Sequence, residues 1–203
     1  MPEKEITFNS GTLTLQGLLE EHPGDKGVVV THPHPLYGGD MYNHVVDAVC
    51  QAFQEREYTC LRFNFRGVGL SEGEYDNGVG EQDDVLAALD YLSALGKKEI
   101  DLAGYSFGAW VIAQGVNKYH QVKRMIMVSP PVNAMDYSFL SYNQKIKLVI
   151  SGSYDDIAGT QEIKDGLMIW NPEAILKIID GADHFYGGKV NELKRLIIEF
   201  LDQ

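Results

Sequence analysis

The sequence predicts an α/β fold with a mostly parallel central sheet, an antiparallel N-terminal hairpin and helices on both faces. Three observations predict it. Short runs rich in Val, Ile and Leu recur along the chain, and longer segments with apolar residues at helical spacing separate them. The runs are continuously apolar rather than alternating, as expected of strands covered on both faces. No repeat, low-complexity tract or linker interrupts the pattern, so residues 1–203 read as one domain.

The elements follow in order. Residues 6–9 and 12–19 alternate apolar and polar side chains on either side of Ser10-Gly11, which predicts the opening hairpin. Parallel strands are then expected at 27–32, 59–64, 100–104, 124–129, 147–151 and 174–179. Val45, Val46, Val49 and Phe53 fall on one helix face between the first two of these runs, and Val85, Leu89 and Leu92 on another before the third. Residues 109–116 read as the helix after the third run, and Val190, Leu193, Ile197 and Phe200 form the apolar face of a closing helix. Open parallel sheets bind ligands outside the carboxyl ends of their strands. Residues just past the strands are therefore the functional candidates.

Composition narrows the partners. With 203 residues, 44% of them hydrophobic, the chain can bury a sizeable core. A net charge of −12 and the lack of any Lys/Arg run argue against nucleic acid and anionic membrane surfaces. The N-terminus M-P-E-K-E-I-T-F has no signal-peptide core, and no segment approaches the roughly 18 apolar residues of a membrane span. A cytoplasmic location is expected. Cys50 and Cys60 form no C-x-x-C pair and read as core thiols.

One short stretch carries the chemistry. In D-L-A-G-Y-S-F-G-A-W, Ser106 lies between a buried strand and a helix, with Gly104 and Gly108 two positions away on each side. So abrupt a turn strains the serine backbone and crowds the neighbouring chain, and glycine relieves that crowding. It exposes the hydroxyl at the sheet edge, in front of a helix N-terminus. The amide of Phe107 is then available to an oxyanion. A serine needs a base, and the base an orienting acid. K-L-V-I-S-G-S-Y-D-D delivers Asp155 and Asp156 after one strand, and I-L-K-I-I-D-G-A-D-H-F delivers His184 after the next.

These segments resemble those of the α/β-hydrolase superfamily, from about Gly27 to the C-terminus. They are most similar to its small cap-less bacterial serine hydrolases. The resemblance rests on H-P-H-P-L-Y-G-G at 32–39, R-F-N-F-R-G-V-G-L-S-E-G at 62–73, G-E-Q-D-D at 80–84 and L-A-G-Y-S-F-G at 102–108. It implies a serine hydrolase of the carboxylesterase kind that acts on small acyl compounds without a cofactor. Ser106 is then the nucleophile, His184 the general base and Asp155, within G-x-x-D, the orienting acid; Asp156 and Asp136 are the alternatives. The second oxyanion donor is expected in the loop at 33–39. Pro33 and Pro35 have no N–H and cannot donate; the resemblance puts His34 at the usual position, with Leu36 as the alternative.

The remaining motifs have plainer readings. His32 and His34 lack further ligands in suitable loops, so no metal site is expected and His32 is assigned to loop hydrogen bonds. The glycines after Arg66 are wrongly spaced for a dinucleotide loop. Glu72, Glu74, Asp76, Glu81, Asp83 and Asp84 read as a solvated acidic surface, and Asp183 as a loop hydrogen-bonder. The stretch between Ser129 and Lys147 is far shorter than the roughly fifty residues of a small domain. No lid is expected, the site should be open and shallow, and short acyl groups should be preferred. Tyr37, Tyr42, Tyr105, Tyr137, Phe139, Tyr142 and Tyr186 are candidate aromatic walls. A non-catalytic binding module on the same scaffold, an acyltransferase or a peptidase stay open as alternatives. So does a homodimer through a sheet edge or the terminal helix.

Overall fold

A computed structural model describes residues 2–203. Its sheet has eight strands, in the order β1 (Lys4–Ser10), β2 (Leu13–Glu20), β4 (Thr59–Phe63), β3 (Lys26–Thr31), β5 (Glu99–Tyr105), β6 (Val122–Val128), β7 (Ile146–Gly152) and β8 (Ile175–Ile179). β1 and β2 form the antiparallel hairpin, and Gly11 takes φ 59 in its turn. β2 also runs antiparallel to β4. All other pairings are parallel, through β3, β5, β6, β7 and β8. The strand expectations hold to within two residues at each end.

Alternate residues of each strand feed two cores. Val28, Val30, Cys60, Ala103, Ile126 and Ile150 face α1 (His44–Gln54) and α5 (Val190–Leu201) on one side. Val29, Leu61, Leu102, Met127 and Val149 face α2 (Gly80–Ala94), α3 (Phe107–Gln114) and α4 (Thr160–Trp170) on the other. Cys50 and Cys60 are both buried and free. Among the described residues, no helix is long and apolar enough to cross a membrane.

α4 has no counterpart in the sequence reading. Ile163, Leu167 and Trp170 do form a buried helical stripe, but Gly166 and the exposed Met168 and Ile169 blur its period. α3 starts at Phe107 rather than 109, because Ser106 itself serves as its N-cap position. No inserted helix or strand lies between β6 and β7.

The acidic stretch is only in part the solvated surface expected: Glu72, Glu74, Asp76 and Asp83 are exposed, but two of its members are not. Glu81 and Asp84 are completely buried. Glu81 accepts the backbone N–H groups of Asp76 and Gly78, which fastens the chain entering α2. Asp84 accepts the Arg66 backbone N–H (3.0 Å) and both Nε (3.0 Å) and Nη2 (2.8 Å) of its guanidinium. Buried carboxylates persist when paired and fully hydrogen-bonded, and these two tie the loop after β4 to α2.

The direction of the chain divides between β3 and β5: from β3 it passes to β4 on one side, whereas β5 leads on to β6, β7 and β8 on the other. That split places a crevice above their carboxyl ends. Breaking the tie beside it has a measurable cost. Asp84→Ala leaves the partly buried Arg66 guanidinium without its partner and should lower stability by about 3 kcal/mol. Urea unfolding reads the change; a loss below about 0.5 kcal/mol, the size of a surface substitution, would show that the pair carries no structural weight.

Candidate active site

Ser106 follows β5 directly and takes φ 55, ψ −119, a conformation that is costly for any residue with a Cβ. Its surroundings enforce it. A Cβ on Gly104 would lie 2.7 Å from the Ala109 nitrogen and the Gly108 carbonyl. A Cβ on Gly108 would lie 2.6 Å from Thr31 Oγ1 and 2.8 Å from His32 O. The Ser106 N–H donates to Val128 O at 2.9 Å, which pins the turn to the end of β6. Its hydroxyl does not cap α3 but points to the loop after β8.

There Ser106 Oγ meets His184 Nε2 at 2.9 Å. The other ring nitrogen, Nδ1, lies 2.9 and 3.0 Å from the two carboxyl oxygens of Asp155, in the loop after β7. A carboxylate acceptor fixes the proton on Nδ1 and leaves Nε2 to accept the serine proton. All three side chains are buried. Burial pushes the Asp155 carboxyl up. The hydrogen bond and charge of His184, the Ser129 hydroxyl and the Ala158 amide outweigh it and hold the carboxyl below its usual range. Asp155 is thus ionised wherever an imidazole titrates. The alternative acids stand elsewhere: Asp156 is exposed, and the exposed Asp136 carboxyl binds Ser138.

Two residues with unpartnered amides line the same cleft. The Phe107 N–H, in the first turn of α3, has no partner among the described residues. His34 lines the cleft, and its N–H is likewise unpartnered. Leu36, the other sequence candidate, gives its N–H to His34 Nδ1 at 3.3 Å and lies outside the cleft lining. The His34 ring is wedged against Phe107 (4.7 Å), Tyr37 (4.9 Å) and Tyr75 (5.3 Å), and burial lowers its imidazole pKa. The loop behind it depends on His32, completely buried, which accepts the Phe65 N–H at Nε2 (3.1 Å) and donates from Nδ1 to Pro33 O (2.7 Å).

Several supporting contacts carry no sequence signal. Tyr105 OH donates to the His184 carbonyl at 2.8 Å, and His44 Nε2 binds the next carbonyl, that of Phe185, at 2.8 Å. Asp183 accepts the Phe185 N–H, as its loop role requires. Ser129 and Tyr186, both at positive φ and both completely buried, join hydroxyl to hydroxyl at 2.8 Å behind Asp155. These contacts span 79, 141 and 57 residues of chain, so local pattern could not reveal them.

The cleft above Ser106 and His184 holds about 670 Å³ and is walled by Tyr37, Tyr105, Phe107, Pro131, Met135, Ile157 and Phe185 among others. No Asp, Glu, Lys or Arg lines it. Of the expected aromatic walls, only Tyr37 and Tyr105 stand there; Tyr137 and Tyr186 are core residues, and Tyr42, Phe139 and Tyr142 are exposed away from it.

Comparison with known proteins places this geometry in context. The family model of the alpha/beta hydrolase fold matches residues 35–185. An uncharacterized protein of Rickettsia prowazekii is 36% identical over 209 aligned positions, covering 97% of this chain and 88% of its own. The structure of an alpha-beta serine hydrolase homologue from Coxiella burnetii superposes with a TM-score of 0.91 at 32% identity, over 99% of this chain and 98% of that one. A serine hydrolase without a lid from Xanthomonas campestris does so at 0.87 and 30%, over 98% and 94%.

The buried His32 makes stability depend on pH. Burial lowers its imidazole to about 4, against an ordinary 6.5. Its neutral form is therefore fully stabilising above pH 6.5, and the contribution disappears as pH falls through about 4. The expected loss is on the order of 3 kcal/mol. Urea unfolding between pH 7 and pH 4 should show it, and His32→Gln should flatten that part of the profile; an equal slope in both proteins contradicts the assignment.

Proposed function

The chain belongs to the alpha/beta hydrolase fold family, and on that premise we propose that it is a serine hydrolase cleaving small, uncharged carboxylic esters through an acyl-enzyme. One observation carries this reading: Ser106 Oγ lies 2.9 Å from His184 Nε2, whose Nδ1 lies 2.9 Å from Asp155. The relatives described as serine hydrolases support it.

The proposed cycle uses only groups of the chain. His184 Nε2 takes the Ser106 proton as Oγ bonds to the ester carbonyl carbon. Negative charge moves to the carbonyl oxygen, where the Phe107 and His34 N–H groups stabilise it. The intermediate collapses, the C–O bond to the alcohol breaks, and His184 returns the proton to the departing oxygen. Water then attacks the acyl-enzyme by the same route, and the acid leaves with Ser106 restored. Asp155 stays ionised throughout and stabilises the imidazolium.

The cleft argues for the substrate class. Its volume of about 670 Å³ lies within the roughly 300–1,000 Å³ range of small-molecule sites. A lining free of charge offers nothing to a charged acyl group, whose desolvation is costly. A short-chain acyl ester of an uncharged alcohol suits it.

Hydrolysis of nitrophenyl butyrate tests the roles together. Ser106→Ala should lower kcat by roughly a thousandfold or more, and Asp155→Asn by roughly 10⁴-fold with the fold intact. A fluorophosphonate probe should label the wild type and not Ser106→Ala. Labelling of both proteins would remove Ser106 from its role.

A further inference from the structure

Asn43 stands at the cleft wall where the loop after β3 enters α1. Its Oδ1 accepts the Val45 N–H at 2.9 Å and caps the helix, while its own N–H donates to Asp40 O at 3.2 Å. A backbone N–H can be met only by the amide oxygen, so the cap decides which way the amide faces. The Nδ2 group consequently turns away from the helix. It has no acceptor among the described residues and is not among the buried unpaired atoms. It is therefore a solvent-facing double donor held in one orientation.

Such a group is rare in this cleft. Ser106 and His184 are committed to the proposed chemistry, and both His34 ring nitrogens are engaged, by the Leu36 N–H and by Tyr75 OH at 3.4 Å. Tyr37 is mostly exposed and its hydroxyl rotates freely. Tyr105 OH is given to the His184 carbonyl, the Phe107 and His34 amides are assigned to the oxyanion, and the other walls have apolar side chains or are glycine. A fixed donor in apolar surroundings discriminates strongly, because a ligand without an acceptor strips its water and returns nothing.

We propose that Asn43 is a specificity-determining residue whose Nδ2 binds a second oxygen of the substrate, an ether, hydroxyl or carbonyl distinct from the scissile ester. The inference rests on the serine hydrolase reading and deepens it: the preferred substrates are uncharged esters that carry such an acceptor.

The test compares nitrophenyl esters of alkanoic acids with isosteres in which one methylene is an ether oxygen, for example butyrate with methoxyacetate, and longer pairs that move the oxygen along the chain. Dividing each kcat/KM by the rate with hydroxide removes intrinsic reactivity. In the wild type one ether position should lead its alkyl partner by about tenfold, a typical effect of one satisfied donor. In Asn43→Asp, which keeps an oxygen for the Val45 N–H but replaces the donor, that lead should vanish. Asn43→Ser, which also caps but is too short to reach, should lose it as well. Thermal unfolding checks that both variants are folded. A lead that survives in both variants, or no lead at any position in the wild type, overturns the proposal alone. A wild type inactive on every ester overturns the serine hydrolase reading and this inference with it.

Discussion

The cleft depends on how closely the first turn of α3 packs against the ends of β3 and β5. That approach is possible only because Gly104 and Gly108 have no side chains: a Cβ at either would sit within 2.7 Å of backbone or side-chain atoms. Close packing leaves the chain no relaxed route from strand to helix, and Ser106 absorbs the difference at φ 55. Strain of this kind costs on the order of 1–3 kcal/mol and lasts only where the surroundings over-determine it. Here they do so through the Ser106 N–H bond to Val128, the pairing of β5 with two neighbours and the burial of Val111 and Ile112.

What the turn presents, the neighbouring loops complete. Strand order sets β3 and β5 side by side, so His34 follows one strand and Ser106 the other. β7 and β8 carry Asp155 and His184 to the same rim from further along the sheet. Loops alone would be poor supports for so exact a geometry. The His184 loop is instead tied by Tyr105 and His44 to consecutive carbonyls, and Asp155 rests on Ser129 and on the Ile157 and Ala158 amides. Function thus sits on mobile kinds of structure made rigid by hydrogen bonds to rigid ones.

Much of this was legible in the sequence. Buried parallel strands are continuous apolar runs, so their positions were readable to within two residues, and Ser106, the pair Asp155 and Asp156, and His184 stood out because each follows such a run; the preference for Asp155 came from the resemblance. The contacts that orient them were not legible. Tyr105 and His184 are 79 residues apart, and nothing local marks the tyrosine as an anchor rather than a wall. Nor could local pattern show that the Leu36 N–H is taken up by His34 Nδ1, the contact that favours His34 as the proposed donor. Glu81 and Asp84 misled for a related reason: charge in a sequence reads as solvated unless its partner is known, and Asp84 finds Arg66 only through the fold. α4 was hidden by the apolar residues on its own outer face.

The most direct measurement is a crystal structure of the protein after reaction with a phosphonate inhibitor. The account places phosphorus on Ser106 Oγ, with the phosphoryl oxygen about 3 Å from the amide nitrogens of both Phe107 and His34, the distance of a charge-assisted hydrogen bond. An adduct on any other side chain, or an oxygen turned away from both amides, would contradict it.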